Sequence, residues 1–132
     1  MLPVLNERDN LAELIPELCG ALSPVLEAVE IIVVDDSSTD GTDLLLADLS
    51  SRDARIRYVS RKGQPASLPD SLTDGVRAAS FDHVAWMDAD GSMPPTSLVD
   101  LVEAYRSSTD IDPIVVGSRF IAGGGFKGVE TV

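Results

Sequence analysis

Lysine occurs twice in this sequence, cysteine and histidine once each, and aromatic residues make up only 5%. Each scarcity removes a class of protein. With Lys62 and Lys127 as its only lysines and a net charge of −12, the chain repels phosphodiester backbones and anionic lipid. Nucleic acid is therefore excluded as a partner, and a phosphate ligand calls for an intervening cation. The lone Cys19 rules out a disulfide framework; it falls among apolar residues at helical spacing and reads as a small buried hydrophobe. No apolar run approaches the roughly 18 residues of a membrane-spanning helix, and no charged-then-apolar leader opens the chain. The expectation is a soluble, cytoplasmic protein without a transmembrane segment. Internal repeats and low-complexity tracts are missing as well.

What is present is one domain's worth of alternating pattern. The 132 residues are 44% apolar, spread along the whole length, so residues 1–132 read as a single domain. Leu11, Leu14, Ile15 and Leu18 recur at helical spacing within residues 10–22, with a kink expected at Pro16. Residues 28–34 are too short and too β-branched for a helix and suit a strand buried on both faces. Asp40 can cap the next helix, whose Leu44, Leu45, Leu46 and Leu49 form its expected inward face. A strand at 56–60 and a loop at 61–70 follow, then a helix facing inward through Leu72, Val76 and Ala79. A strand over 83–87, a helix opened by Pro94 and Pro95 and carrying Leu98, Leu101, Val102 and Tyr105, and a strand over 114–116 complete the series. Trp86 and Tyr105 read as core, and His83 as a strand-start residue. Strands alternating with helices predict an α/β fold, a mostly parallel sheet with helices on both faces. Residues 1–5 supply only a stub of a first strand and nothing closes the glycine-rich end, so the expectation is a fragment incomplete at both ends.

In open α/β sheets ligands sit beyond the carboxyl ends of the strands, so the residues after each strand belong to one candidate site. They are Asn6 and Glu7, Asp35 and Asp36, Asp88 and Asp90, and Ser118 and Arg119. The i, i+2 spacing of Asp88 and Asp90 puts both carboxylates on one side of an extended segment with Ala89 opposite. Such a pair can hold Mg²⁺ or Mn²⁺, which bridges carboxylate to diphosphate oxygens that would otherwise be repelled. The plainer alternative is a turn with solvated carboxylates. Asp35 and Asp36 are adjacent and point to opposite faces, so they split two tasks: one accepts N–H bonds from a nucleobase, the other bonds ribose hydroxyls or backbone amides. Asp35 or Asp40 serving only to organise the turn and the helix cap stands beside that reading.

Four blocks, "PVLNERDNL", "IIVVDDSSTDGT", "VAWMDADGSMPP" and "VVGSRFIAGGG", in this order and spacing resemble glycosyltransferase family 2, and within it the dolichyl-phosphate mannose synthase-like (polyprenyl-phosphate glycosyltransferase) branch. The resemblance implies a Rossmann-like GT-A fold, a GDP- or UDP-sugar donor, a divalent cation, and inverting transfer of mannose or glucose to an acceptor such as a polyprenyl phosphate at the cytoplasmic face of a membrane. It gives Pro3, Leu5 and Glu7 to the loop that packs on and bonds the base, and Asp36, with Asp35, to base or ribose. Asp88 and Asp90 become the D-x-D, Asp90 the direct metal ligand, and Arg119 pairs with donor phosphate; these three carry the catalysis. Gly123, Gly124 and Gly125 match a loop near the acceptor. A phosphate-monoester acceptor is already ionised near neutral pH and attacks without a strong general base. Three places depart from the branch: Leu5 replaces a common aromatic, Ser92 a common glutamine, and "RKGQPASLPDSLTDG" a more glycine-rich loop, in which Arg61 and Lys62 serve phosphate or simply the surface.

Two rival functions fit parts of the pattern. A phosphoacceptor receiver domain also places paired acids after an early strand, but it needs a lysine after its last strand where this chain has "IVVGSRF". A nucleotide-binding module without turnover is the other.

Overall fold

The structure, a computed structural model, describes residues 1–118 and 120. Three parallel strands, β1 (Leu2–Val4), β2 (Ile31–Asp35) and β3 (Ile56–Ser60), lie in the order β1-β2-β3. Val33 pairs with Leu2 on one side and with Tyr58 on the other, which fixes the register across the sheet. All five residues of β2 are buried, as a β-branched run between two covered faces requires. Between the strands run α1 (Arg8–Leu22) and α2 (Thr42–Arg52); α3 (Leu68–Ala78) and α4 (Thr96–Ser107) follow. α1 continues through Pro16 and buries Leu11, Leu14, Ile15 and Leu18, the stripe its spacing predicts.

The helices divide between the two faces by strand alternation. Leu2, Val4, Ile31 and Val33 share one core cluster with α1, Leu46 of α2 and Leu98 of α4. Val34 points the other way, toward α3, where Gly75 sits so close that a Cβ would collide with Met1 and press within 3.2 Å of Val34 Cγ2. α3 therefore approaches the sheet through Ser71 and Gly75, not through Leu72 and Val76; Val76 is exposed. Apolar spacing picked out the wrong face because close helix–strand packing selects small side chains. Leu44 is likewise exposed in the first turn of α2, and of the helix's four leucines only Leu46 is fully buried.

Two expected strands are not formed. The segment 83–87 is extended and flanks β1 but makes no ladder; its backbone bonds are Met1 N to Ala85 O at 2.5 Å and Met87 N to Met1 O at 3.3 Å. β1 is only three residues long and offers little to pair with. Trp86 is 49% exposed rather than core. His83 is exposed and meets Tyr105 of α4 edge-on, ring centroids 5.1 Å apart. Residues 114–116 have no strand partner among the described residues, and Ile114 and Val116 are exposed. Cys19 is partly buried at the edge of the core, and burial raises its thiol pKa.

Candidate functional site

The two bonds of Met1 to Ala85 and Met87 have the pattern of a parallel pair, so segment 83–87 runs in the direction of β1 and delivers Asp88 and Asp90 to the same rim as Leu5 and Asp36. Side-chain alternation then decides which face each residue takes. Met87 and Ala89 enter the core beside Leu2, Val4 and Leu98, while Trp86, Asp88 and Asp90 are exposed. On β1 the face away from that core belongs to Pro3 and Leu5, and after β2 to Asp36. The rim thus brings Pro3, Leu5 and Asp36 together on one face, with Asp88 and Asp90 exposed where the neighbouring segment ends.

Asp35 and Asp36 are both buried and turn to opposite faces, as their adjacency predicts. Asp35 stays on the core side: its Oδ1 accepts the Ser38 N–H at 2.9 Å and its Oδ2 the Tyr58 hydroxyl at 3.3 Å. It organises the turn after β2, where Ser37 adopts a left-handed φ of 71°. Asp36 faces α3. Its Oδ1 accepts Arg61 Nε at 3.0 Å and its Oδ2 the Ser67 N–H at 2.6 Å, which ties the end of β2 to the start of α3.

Arg61 has a role that sequence reasoning missed. It is 3% exposed, and its guanidinium also meets Asp74 at 2.5 Å, Pro65 O at 3.4 Å and Asp70 at 3.6 Å. It is not a surface residue; it clamps loop 61–67 and α3 against Asp36. The signal was available in "RKGQPASLPDSLTD", where Asp70 and Asp74 lie one turn apart on the helix that follows an arginine.

Between this clamp and the end of β1 lies a cleft of about 310 Å³, lined by Pro3, Leu5, Asp36, Ser67, Leu68 and Ser71 among others. Three of the residues expected around a base, Pro3, Leu5 and Asp36, share it. Glu7 does not: its Oε2 accepts Asn10 Nδ2 at 2.6 Å at the start of α1. Asp40 stands between two helix starts, its Oδ1 accepting Thr42 N and Oγ1 at 3.0 and 2.6 Å and its Oδ2 accepting Arg8 N at 3.1 Å. The Thr42 hydroxyl, with those backbone amides, holds the Asp40 carboxyl below its ordinary pKa.

Asp88 and Asp90 are exposed on either side of buried Ala89. Ser92, through its hydroxyl and then its backbone N–H, 2.9 Å from Asp90 Oδ1, holds the Asp90 carboxyl below the usual carboxylate range. Among the described residues no group of three or more acidic, histidine or cysteine side chains is poised to enclose a metal ion. Two carboxylates open to solvent nonetheless suit a hard cation that completes its shell with water and diphosphate oxygens. Arg119, Gly123, Gly124 and Gly125 lie outside the described residues.

These features define a class: an open parallel α/β domain whose acidic residues gather at the carboxyl ends of its strands, beside a cleft. Residues 1–129 match the family model of glycosyl transferase family 2. The chain belongs to that family, and its parallel sheet is part of the family's Rossmann-like GT-A fold. It is 36% identical over 124 residues to a dolichol-phosphate mannosyltransferase of Pyrococcus furiosus, covering 94% of this chain and 33% of that one. It is 32% identical over 127 residues to a polyprenol monophosphomannose synthase of Mycolicibacterium smegmatis, covering 94% and 45%. An undecaprenyl-phosphate mannosyltransferase of Micrococcus luteus is 31% identical over 127 residues, covering 94% and 49%. The chain spans a third to a half of the length of these relatives. No helix among the described residues is long and apolar enough to cross a membrane.

Proposed function

We propose that this chain is the donor-binding part of a glycosyltransferase that moves mannose or glucose from a GDP- or UDP-sugar to a polyprenyl phosphate, with inversion, peripheral to the cytoplasmic face of a membrane. The observation that carries the reading is the shared rim. An apolar strand end and an acceptor carboxylate line one cleft, and two exposed carboxylates follow the neighbouring segment, which runs parallel to β1. The printed names of the relatives supply the acceptor class.

In this reading the base enters the cleft against Pro3 and Leu5, and Asp36 accepts its ring N–H through the lone pairs that Arg61 and Ser67 leave free. The Arg61 clamp fixes that carboxylate before the nucleotide arrives, so little ordering remains to be done on binding. Asp88 and Asp90 would hold Mg²⁺ or Mn²⁺, Asp90 as the direct ligand; the bound ion neutralises charge on the departing diphosphate. Arg119 pairs with donor phosphate, and Gly123, Gly124 and Gly125 face the acceptor. An acceptor phosphate oxygen, already ionised, attacks the anomeric carbon without a strong base.

The test is isothermal titration with GDP and UDP, with and without Mn²⁺. One of the two is expected to bind with the cation and to lose most of that affinity without it, and Asp90→Asn is expected to abolish the difference. Binding of equal strength in the absence of cation would remove the D-x-D from the donor site.

A further inference from the structure

Aspartate precedes glycine at three places in this chain, Asp40–Gly41, Asp74–Gly75 and Asp90–Gly91, and that dipeptide is chemically fragile. Glycine has no side chain to shield its amide nitrogen or to restrict the backbone, so the nitrogen can reach the carboxyl carbon of the residue before it. Attack forms a C–N bond to Cγ, and the hydroxyl of the carboxylic acid leaves with the amide proton as water, closing a succinimide ring. Water then adds at the α-carbonyl and breaks its bond to the glycine nitrogen, which leaves the chain linked through the aspartate side chain as isoaspartate. One water is lost and one regained, so no oxidant or reductant takes part.

The fold protects two of the three. Asp74–Gly75 lies inside α3, with Gly75 buried and the Asp74 carboxylate held by Arg61 at 2.5 Å. Helical side chains lean toward the N-terminus, away from the nitrogen that would attack. Asp40 stands before α2 with both oxygens tied, Oδ1 by the N–H and hydroxyl of Thr42 and Oδ2 by the Arg8 N–H, so neither is free to leave.

Asp90–Gly91 has neither protection. Asp90, Gly91 and Ser92 are exposed and lie outside the helices and strands. Gly91 has a φ of 75°, nothing stands within 4 Å of where a side chain would begin, and its N–H makes no hydrogen bond among the described residues. The Asp90 carboxylate is held from within the same loop, where the Ser92 N–H on its Oδ1 at 2.9 Å keeps it beside the Gly91 peptide.

We propose that Asp90 is a site of spontaneous isoaspartate formation in the folded protein, and that the fold suppresses the same reaction at Asp40 and Asp74. The product gains a methylene in the main chain between Ala89 and Gly91 and carries its carboxylate on a shorter arm, which reshapes the turn after segment 83–87. The class of reaction that reverses it is methylation of the new α-carboxylate, which reopens the path through the succinimide. The inference goes beyond donor binding and stands whether or not Asp90 holds a cation.

The experiment is prolonged incubation of the full chain at mildly acidic pH, folded in buffer and unfolded in urea, followed by peptide mapping with electron-transfer fragmentation, which distinguishes the β-linked residue. The incubation lasts until the unfolded chain carries isoaspartate at all three sites. The folded chain is expected to carry it at Asp90, at a level comparable to that of the unfolded chain, with Asp40 and Asp74 at background. A folded chain with isoaspartate at Asp40 or Asp74 equal to that at Asp90, or with Asp90 also at background, overturns the proposal and leaves the donor site standing.

Discussion

Asp36→Asn tests whether the clamp between β2 and α3 is built as described. Two donors converge on this carboxylate, Arg61 Nε on Oδ1 at 3.0 Å and Ser67 N on Oδ2 at 2.6 Å. Asparagine has a single acceptor, so either orientation of its amide satisfies one donor and sets an N–H₂ against the other. Water cannot substitute easily, because Asp36 is 7% exposed. Losing one charge-assisted bond in such a place costs about 1.5–3 kcal/mol. The loss stays short of the roughly 3–5 kcal/mol of a fully stripped buried pair, because Asp74 remains as a counter-ion to the guanidinium. For a chain of 132 residues this corresponds to a fall in Tm of roughly 5–15 °C. Asp74→Asn is the control: its carboxylate is 28% exposed, so solvent compensates and the cost should be about 1 kcal/mol or less. Urea unfolding at pH 7, followed by circular dichroism, measures both variants. If Asp36→Asn lies within about 0.5 kcal/mol of wild type, or Asp74→Asn costs as much as Asp36→Asn, the clamp is not where the structure puts it.

Three further outcomes follow from local geometry. Gly75→Val should destabilise by about 1–3 kcal/mol, because the added atoms meet Met1 and Val34 under α3. Gly20→Ala, in a helix position with nothing within 4 Å, should stabilise by up to about 1 kcal/mol; paired urea titrations that give the two changes the same sign would contradict the packing. Asp40→Asn tests pH dependence. The folded pKa of Asp40 is lowered, so its contribution is present above the unfolded value near 3.8 and is lost as pH falls through the folded value. The stability gap between wild type and Asp40→Asn should therefore be full at pH 6 and should close in acid below about pH 4; a gap that widens there would reverse the assignment.

The parts of this fold that the sequence reveals are those in which large apolar side chains settle the question. The buried stripe of α1 and the five-residue β2 follow from period and branching, and the rim follows from reading what comes after each strand. The split of Asp35 and Asp36 to opposite faces follows from strand alternation alone. Single-sequence periodicity fails where the deciding residues are small or charged. α3 turns Ser71 and Gly75 inward, and no hydropathy pattern marks a face made of a serine and a glycine. Arg61 is buried because three aspartates and a loop carbonyl come to it, a condition that exists only once β3 and α3 are in place.

The same reasoning accounts for the position of the cleft. A helix with large inward residues would stand off from the sheet and fill the space beyond the end of β1. Because α3 approaches through Ser71 and Gly75 and is tethered at its start by Ser67 to Asp36, its large residues Leu72 and Val76 are carried away from the rim. What remains between Leu5 and Ser71 is an opening with an apolar wall and a fixed carboxylate. The small-residue face that hides α3 from a hydropathy reading is thus the feature that leaves room for a ligand at the strand ends.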